Sequence, residues 1–419
     1  MRDKYPSSSL EMDIEEIPDL SDEDLEEVVD LDMESDNDSV ESIDSVNSVE
    51  DETSQKAMCI FRGHSHASSV FCGCLSQNGE LAVTGSKEDL AYIWDTTTGN
   101  IVLKCTGHTD SVIFAEFNHD DNYLATGDMK GLIQVWSKNV CCSQFYIDEL
   151  HWMKWHHSAN ILLAASENGE IYMWKLPKGQ CKIFHGNGTI VESGAIFPDG
   201  KSIVVGCRDG TIRIIDLKEG TVMATIPNNQ GHSSLVTDID CHMNNKLFIS
   251  VSTDGKTILS TAHNGKIICV LQDLQSEMPS KEDDNADDQQ EGQSESHKEN
   301  WAETVSFCKD PAIPLAATAT VNGELFVWDI SKQVLRHKID LQIMDTLTKV
   351  RWKGNTSILF VAGLDGVTRC IDAKTGKCLQ IYKGHKKAIL DLHISQNEQR
   401  LLTVSDDSTA RVYDISSIS

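Results

Sequence analysis

The sequence lacks both a long apolar run and a basic run, and each absence excludes a class of protein. No stretch of the 419 residues approaches the roughly 20 apolar residues that a membrane-spanning helix needs. Residues 1–20 are acidic where a secretory signal is basic and then apolar, so we expect a protein of the cytoplasm, with the nucleus left open. Because a basic patch is needed to contact phosphates, direct binding to nucleic acid is not expected.

Sequence motifs of metal sites and of common enzyme classes are also missing. The 13 cysteines form no Cys-x-x-Cys pair, and no His-Glu-x-x-His is present. Two Gly-Lys-Ser/Thr triplets, at 200–202 and 255–257, resemble phosphate loops. The glycine that this motif requires five residues before the triplet is replaced by Ala195 and Ser250. The sequence therefore predicts no metal, no cofactor and no catalytic activity.

Negative charge is abundant but concentrated in two segments. The net charge of −29 includes −18 from residues 1–56 and −8 from residues 272–300, so the remainder is nearly balanced at −3. Segments of this composition bury too little apolar surface to offset the entropy lost on ordering. We therefore predict a disordered acidic tail over 1–56 and a disordered acidic insertion over 272–300. Each is either a solubilising segment or a counter-charge for a basic partner.

A unit of about 42 residues is repeated eight times, and each copy ends in Trp-Asp or a degenerate form of it. The eight endings are Trp94-Asp95, Trp136-Ser137, Trp174-Lys175, Ile215-Asp216, Ser260-Thr261, Trp328-Asp329, Ile371-Asp372 and Tyr413-Asp414. Four copies open with Gly-His, starting at residues 63, 107, 231 and 384. A unit that cannot bury its own faces must stack on copies of itself. This signature is that of the WD-repeat β-propeller, in which four-stranded blades surround a central channel.

The lengths of the repeats predict eight blades over residues 57–419. Without the 29-residue insertion, 334 residues remain, or about 42 for each blade. Residues 57–62 resemble the outer strands that precede later Gly-His pairs, whereas the last copy stops at its third strand near Tyr413. The N-terminal strand should therefore complete the last blade, which removes an open sheet edge. We predict an all-β, eight-bladed WD-repeat propeller, and we expect it to be a monomer.

Several copies bring together a His, a Ser or Thr, an Asp and a Trp, which invites comparison with a hydrolase triad. The set recurs from blade to blade, whereas catalysis needs one pocket, and several copies lack the Asp. We therefore interpret it as a buried hydrogen-bond network that ties strands to turns. The residues assigned to this network are His64, His108, His232, Ser252, Asp254, His385, Ser405 and Asp407.

Partner-binding residues are predicted on one face of the ring, the top face, which carries the loops from fourth to first strands and from second to third strands. Charged and aromatic residues at these places are Glu88, Glu149, His151, Glu167, Glu192, Trp301, Glu303 and Asp406. The acidic insertion joins a fourth strand to a first strand and should lie over the same face. An acidic rim with one Trp suits a basic peptide, since several weak ion pairs and an aromatic anchor together give affinity. An ordinary solvated rim is the alternative.

Four motifs give the chain a more specific resemblance. They are Glu-Glu-Ile-Pro-Asp-Leu at 15–20, Phe-Arg-Gly-His at 61–64, Asp-Leu-Ala-Tyr-Ile-Trp-Asp at 89–95 and Thr-Gly-Asp-Met-Lys-Gly at 126–131. With these motifs, the whole chain resembles the angio-associated migratory cell protein family, whose fungal relatives are dedicated chaperones of one large-subunit ribosomal protein.

The resemblance implies a non-enzymatic chaperone. Its acidic top face would capture the basic N-terminal segment of a nascent large-subunit ribosomal protein and so support assembly of the large subunit. A multi-partner signalling scaffold in cell migration and angiogenesis is the alternative. The two functions differ in the surface they need, because a scaffold could bind its partners on the side or the bottom of the ring.

Overall fold

Eight antiparallel four-stranded sheets form the computed structural model of the chain, which describes residues 55–63, 68–276, 300–341, 343 and 345–418. Each sheet is one blade, so the predicted all-β, eight-bladed propeller is confirmed. Within a blade the strands follow one another in space as they do in sequence, and the first strands of neighbouring blades contact each other. Most of the predicted acidic tail and insertion lies outside the described residues.

The first strand among the described residues is β1 (Cys59–Phe61), which belongs to the last blade, and the other blades follow in order. Blade 1 contains β2 (Val70–Leu75), β3 (Leu81–Ser86), β4 (Ala91–Asp95) and β5 (Ile101–Cys105). Blade 2 contains β6 (Val112–Phe117), β7 (Leu124–Asp128), β8 (Leu132–Ser137) and β9 (Val140–Tyr146). Blade 3 contains β10 (Leu150–Trp155), β11 (Ile161–Ser166), β12 (Ile171–Lys175) and β13 (Gln180–Phe184). Blade 4 contains β14 (Val191–Ile196), β15 (Ser202–Cys207), β16 (Ile212–Asp216) and β17 (Val222–Ile226).

The second half of the ring repeats this arrangement. Blade 5 contains β18 (Val236–Cys241), β19 (Leu247–Ser252), β20 (Lys256–Thr261) and β21 (Ile267–Asp273). Blade 6 contains β22 (Ala302–Phe307), β23 (Leu315–Thr320), β24 (Glu324–Asp329) and β25 (Val334–Asp340). Blade 7 contains β26 (Leu347–Trp352), β27 (Ile358–Gly363), β28 (Thr368–Asp372) and β29 (Lys377–Tyr382). Blade 8 contains β30 (Ile389–Ile394), β31 (Arg400–Ser405), β32 (Ala410–Asp414) and β1.

The third strand of every blade ends at one of the eight predicted endings. In blade 1 Trp94 is fully buried, while the Asp95 carboxylate accepts the backbone N–H groups of Thr97 (2.9 Å) and Thr98 (2.7 Å) in the turn that follows. In this blade the first residue of the pair thus packs the sheet and the second fixes the turn. Degenerate pairs such as Ser260-Thr261 occupy the same place.

The hydrophobic core lies between blades rather than inside them. One cluster joins Ile249 and Val251 of blade 5 to Val305, Phe307 and Phe326 of blade 6. A sheet has two faces, so each blade must be covered on both sides by its neighbours. Both faces of the central strands are therefore buried, as in β27, where six successive residues without a polar side chain are all buried.

Side chains of the first strands bond the blades together around the channel. The Asp238 carboxylate accepts the backbone N–H of Val305 (3.0 Å), and the Asp240 carboxylate accepts that of Phe307 (2.8 Å). These bonds cross from blade 5 to blade 6. The first strand is the inner edge of each sheet, so half of its backbone N–H groups have no partner strand, and these carboxylates accept hydrogen bonds from them.

Strand β1 closes the ring, as the sequence predicts. It pairs with β32 over Cys59↔Val412 and Phe61↔Ala410. Phe61 is only 2% exposed, and its ring stacks on that of Trp94 in blade 1 with 4.6 Å between centroids. The N-terminal strand therefore completes blade 8 and also packs on blade 1.

The start of the acidic insertion differs from the prediction. Residues 272 and 273 belong to β21, and Leu274 is 6% exposed with its N–H bonded to the carbonyl of Gly255. Burial of Gln272 and Leu274 extends the ordered strand into the segment that composition assigned to the insertion.

We expect Phe61→Ala to destabilise the protein by about 3 kcal/mol, because it removes a buried aromatic ring at the closure. Urea denaturation followed by tryptophan fluorescence measures this loss. Met58→Ala is the matched control, since Met58 lies beside β1 but is 41% exposed, and we expect it to change stability little. Equal losses from the two variants would show that the closure does not limit stability.

Candidate functional site

The first strand of every blade contains a β-bulge at its second residue, at the top of the channel. Pairing with the second strand skips this residue, as between Leu150 and Trp152 in blade 3. A bulge turns the extra side chain out of the regular alternation of the strand. The eight bulge residues, in blade order, are Phe71, Ile113, His151, Glu192, Thr237, Glu303, Thr348 and Leu390.

A backbone hydrogen bond next to the bulge is repeated in all eight blades, and it places two further residues of each blade beside the bulge residue. The first residue after the second strand, the turn residue, donates its N–H to the carbonyl of the residue just before the first strand, the leading residue. The turn and leading residues, in blade order, are Lys87 and Ser69, Met129 and Ser111, Glu167 and Glu149, Arg208 and Ile190, Thr253 and Leu235, Val321 and Trp301, Leu364 and Thr346, and Asp406 and Ala388. We call the leading, bulge and turn residues of all blades the top ring.

Seven of the eight predicted partner-binding residues fall in the top ring. Glu149 and Trp301 are leading residues, His151, Glu192 and Glu303 are bulge residues, and Glu167 and Asp406 are turn residues. The eighth, Glu88, lies one residue beyond the turn residue Lys87 and is half-buried. It occupies the place that Asp254 has in blade 5, so it belongs with the network described below.

The carboxylates of the top ring differ in how far they are neutralised. Glu192 accepts from Arg208 at 2.5 Å and lies 3.6 Å from His151. Glu149 and Glu167 are exposed, and neither has an ion pair among the described residues. Because Glu149 and Glu167 are joined through their backbones at 3.0 Å, blade 3 presents two free negative charges side by side.

Glu303 provides a third carboxylate without an ion pair in the described part of the chain. Trp301 Nε1 donates to it at 3.2 Å. Burial raises the pKa of Glu303 and the nearby Asp238 raises it further, although the Trp301 hydrogen bond and Lys349 act in the opposite direction. A carboxylate held in this way gains stability when a cation approaches, since the cation offsets the cost of burying its charge.

The described ends of the acidic insertion both lie at the top face. Gln275 Nε2 donates to the carbonyl of the turn residue Thr253 (3.2 Å), and Asn300 Nδ2 donates to Glu324 (3.1 Å), next to the second-to-third turn of blade 6. The chain therefore leaves and re-enters the ring beside Trp301. In blade 8, the Asp406 carboxylate accepts a hydrogen bond from the Ser69 hydroxyl of blade 1 and lies 3.4 Å from Lys387 Nζ.

Sequence reasoning overlooked the three apolar bulge residues because an apolar residue at the start of a strand looks like part of the core. Phe71, Ile113 and Leu390 are half-buried bulge residues. The apolar residue that precedes each of them, Val70, Val112 or Ile389, is the first residue of the first strand and is buried. Alignment of the repeats on this residue would have identified the position that follows it.

A His–Asp network is present in blades 2, 5 and 8 among the described residues, and His64 of blade 1 lies outside them. In blade 2, Trp136 Nε1 donates to Thr126 (3.0 Å), Thr126 lies 2.8 Å from His108 Nε2, and His108 Nδ1 lies 3.2 Å from Asp128. Since a carboxylate only accepts, His108 Nδ1 carries the proton and Nε2 accepts from the Thr126 hydroxyl. Lys130 stands where other copies have Asp, and Asp128 supplies the carboxylate from two residues earlier.

The serines predicted for this network lie in it but do not contact the histidine ring. In blade 5, His232 Nδ1 lies 3.2 Å from Asp254 and its Nε2 2.9 Å from Ser250, not Ser252. Residues two apart share a face of the strand, and Ser250 is the one level with the ring. Ser252 instead accepts the N–H of Asp254 at 3.1 Å. Blade 8 has the same arrangement, in which His385 contacts Asp407 (3.1 Å) and Thr403 (2.8 Å) and Ser405 accepts from Asp407.

Neither a group of His, Cys, Asp and Glu residues that could hold a metal nor a helix able to cross a membrane occurs in the described part of the chain.

Comparisons with known proteins agree with this geometry. Residues 55–95, 99–137, 223–269 and 376–414 match the family model "WD domain, G-beta repeat", and residues 153–232 match "Anaphase-promoting complex subunit 4 WD40 domain". The human angio-associated migratory cell protein is 36% identical over 353 residues, which cover 83% of this chain and 78% of the human protein. The chain belongs to the angio-associated migratory cell protein family.

This member of the angio-associated migratory cell protein family is also similar to fungal proteins. Ribosome assembly protein SQT1 of Saccharomyces cerevisiae is 21% identical over 413 residues, which cover 92% of this chain and 93% of SQT1. The solved structure of Chaetomium thermophilum Sqt1 bound to the N-terminus of ribosomal protein L10 has a TM-score of 0.73 at 19% identity. The match covers 85% of this chain and 99% of that chain. At this level of identity the likeness shows a shared fold.

The network of blade 5 makes stability depend on pH. Burial alone would raise the pKa of Asp254, but His232 and the backbone N–H groups of Ser233 and Lys256 outweigh it and lower the pKa to about 2 from 3.8. A carboxyl group whose pKa is lower in the folded than in the unfolded protein stabilises the fold at pH values above its unfolded pKa. That stabilisation is lost as the pH falls through the folded pKa. We expect a loss of about 2 kcal/mol between pH ~4 and ~2.

Asp254→Asn should lower stability at neutral pH and make it less dependent on pH in that window. Urea denaturation at a series of acidic pH values measures both effects. Glu219→Gln, which changes a carboxyl group on the opposite face with an exposed side chain, should follow the wild-type pH dependence. A wild-type slope in Asp254→Asn would contradict the assignment.

Proposed function

We propose that this protein is a non-enzymatic chaperone of a basic segment of a large-subunit ribosomal protein. The basic segment is the N-terminal segment of the newly made ribosomal protein, its client. The top ring binds and shields this segment and so supports assembly of the large ribosomal subunit. The observation that carries the proposal is the set of three carboxylates in the top ring, Glu149, Glu167 and Glu303, that have no ion pair within the described structure.

Two of the relatives support the choice of client. One is named as a ribosome assembly protein, and the solved structure of another holds the N-terminus of ribosomal protein L10. The N-terminal segment of ribosomal protein L10 is therefore the first client to test. Arg and Lys side chains in such a segment suit the free carboxylates of blades 3 and 6.

The charge of the whole chain supports a kinetic role for electrostatics. The net charge of −29 attracts a basic segment from a distance and raises the rate of encounter, an effect that salt screens. Each exposed ion pair contributes only ~0–1 kcal/mol. Trp301 supplies what these pairs lack, because its half-buried indole lies beside Glu303 and can cover the aliphatic part of a bound Arg or Lys.

We expect the combined variant Glu149→Gln, Glu167→Gln and Glu303→Gln to bind an L10 N-terminal peptide about ten- to a hundredfold more weakly, since three ion pairs are lost. Gln keeps the size of the side chain and its ability to accept from Trp301. Fluorescence anisotropy with labelled peptide and full-length protein, at low and moderate salt, measures the change.

The control variant is Glu219→Gln, which tests the loss of one charge on the opposite face. Glu192 is left unchanged in the triple variant because Arg208 already neutralises it. Wild-type binding by the triple variant, or no binding by the wild type at either salt concentration, would overturn the proposal.

The signalling scaffold remains a second candidate on one observation. The outermost strand of blade 2 exposes Val140 (63%) and Tyr146 (72%) on the side of the ring. A partner of that surface would be lost in Tyr146→Ser and kept in the triple top-ring variant, the reverse of the pattern expected for the chaperone client.

A further inference from the structure

The bulge residues divide the channel mouth into an apolar part and a polar part. Blades 8, 1 and 2 are consecutive in the closed ring, and their bulge residues are Leu390, Phe71 and Ile113. The other five blades carry His, Glu or Thr at this place. The three apolar residues are half-buried, so the core does not fully enclose any of them.

Two turn residues extend the apolar part outwards. Met129 of blade 2 is 49% exposed, and Leu364 of blade 7 is 38% exposed. These two residues and the three bulge residues lie on four consecutive blades, and we call the five together the apolar arc. The turn residues of blades 1 and 8, Lys87 and Asp406, are the charged positions within this span. Hydrogen bonds hold its inner strands side by side, since Gly73 of blade 1 donates to Asp391 of blade 8 (3.2 Å) and Cys72 lies 3.7 Å from the Val112 carbonyl of blade 2.

The fold itself does not require apolar residues in the arc. Thr237 and Thr348 occupy the same bulge in blades 5 and 7, where each hydroxyl donates to a carbonyl of the next blade at 2.9 Å. A polar residue is thus fully compatible with this backbone. Apolar side chains that stay partly exposed together on one surface commonly mark a binding site.

We propose that the apolar arc receives a leucine-like or aromatic side chain of the same peptide whose basic residues bind Glu149, Glu167 and Glu303. The inference rests on the proposed function and narrows it, because the recognised segment must be amphipathic rather than merely basic. The free carboxylates lie on blades 3 and 6, on either side of the arc that spans blades 7, 8, 1 and 2. Each end of the arc adjoins an acidic place, since Met129 of blade 2 accepts the N–H of Leu150, the residue after Glu149, and Leu364 belongs to blade 7, next to blade 6. A peptide residue that follows a bound Arg or Lys can therefore place its side chain on the arc. Burial of an apolar side chain there adds affinity that salt does not screen.

Two synthetic peptides test the proposal. Both contain the same number of Arg and Lys residues separated by Gly and Ser, and one of them has a single Phe in place of a central Ser. We expect wild-type full-length protein to bind the Phe peptide about tenfold more tightly, a gain of about 1.4 kcal/mol. The ratio of the two affinities should persist at moderate salt, although both affinities fall.

Variants of the arc show whether it causes the preference. Leu390→Thr and Ile113→Thr install the residue that blades 5 and 7 already carry, so the bulge can be kept. Each should reduce the tenfold preference for the Phe peptide over the Ser peptide. Met243→Thr is the matched control, since Met243 is 40% exposed in a loop between first and second strands on the opposite face. Circular dichroism and the melting temperature verify that each variant is folded.

The possible results separate the two proposals. Equal binding of the two peptides by wild-type protein, combined with loss of both in the triple Glu→Gln variant, would overturn the apolar arc and support the chaperone. A preference that survives in both Thr variants would also overturn it. If neither peptide binds, and the L10 peptide does not bind either, the proposed function fails and the inference fails with it.

Discussion

Each blade of this propeller can cover its two faces only by packing between two neighbours, so the stability of every blade depends on closure of the ring. The core clusters join adjacent blades, and side chains of the first strands bond across the same boundaries. Closure is made by a three-residue strand from the other end of the chain. The backbone at the channel mouth is consequently fixed, and differences between blades are left to the side chains of the top ring.

The repeat period was sufficient to predict the blades because the paired residues at the end of each third strand have local roles. Trp94 fills the space between blades and Asp95 fixes the next turn, and both roles belong to one short stretch of sequence. The hydrogen-bond network was harder to predict in detail. Whether Ser250 or Ser252 contacts His232 depends on how far the preceding loop carries the ring along the strand, which sequence spacing alone does not determine.

The candidate site was predictable as a set of places and less so as chemistry. Register placed Glu149, Glu192 and Glu303 at the mouth, but only the fold brings Arg208 to within 2.5 Å of Glu192 and surrounds Glu303 with Trp301 and buried neighbours. A charged residue in a strand can be recognised from the sequence as a surface candidate, whereas an apolar residue in a strand cannot be distinguished from a core residue. In the sequence Phe71 and Leu390 are distinguished only by their place after Val70 and Ile389, and the bulge in the structure shows that they are half-buried rather than core residues.

The pairing of β1 with β32 has a consequence for the order in which the protein is made. Ribosomes release a chain from its N-terminus, so β1 leaves the tunnel before the other described strands and its partner β32 leaves after them. Throughout synthesis β1 remains an unpaired edge, and the mouth between blades 8 and 1 does not exist. A protein proposed to receive nascent chains can therefore complete its own binding surface only after residues 410–414 have left the ribosome.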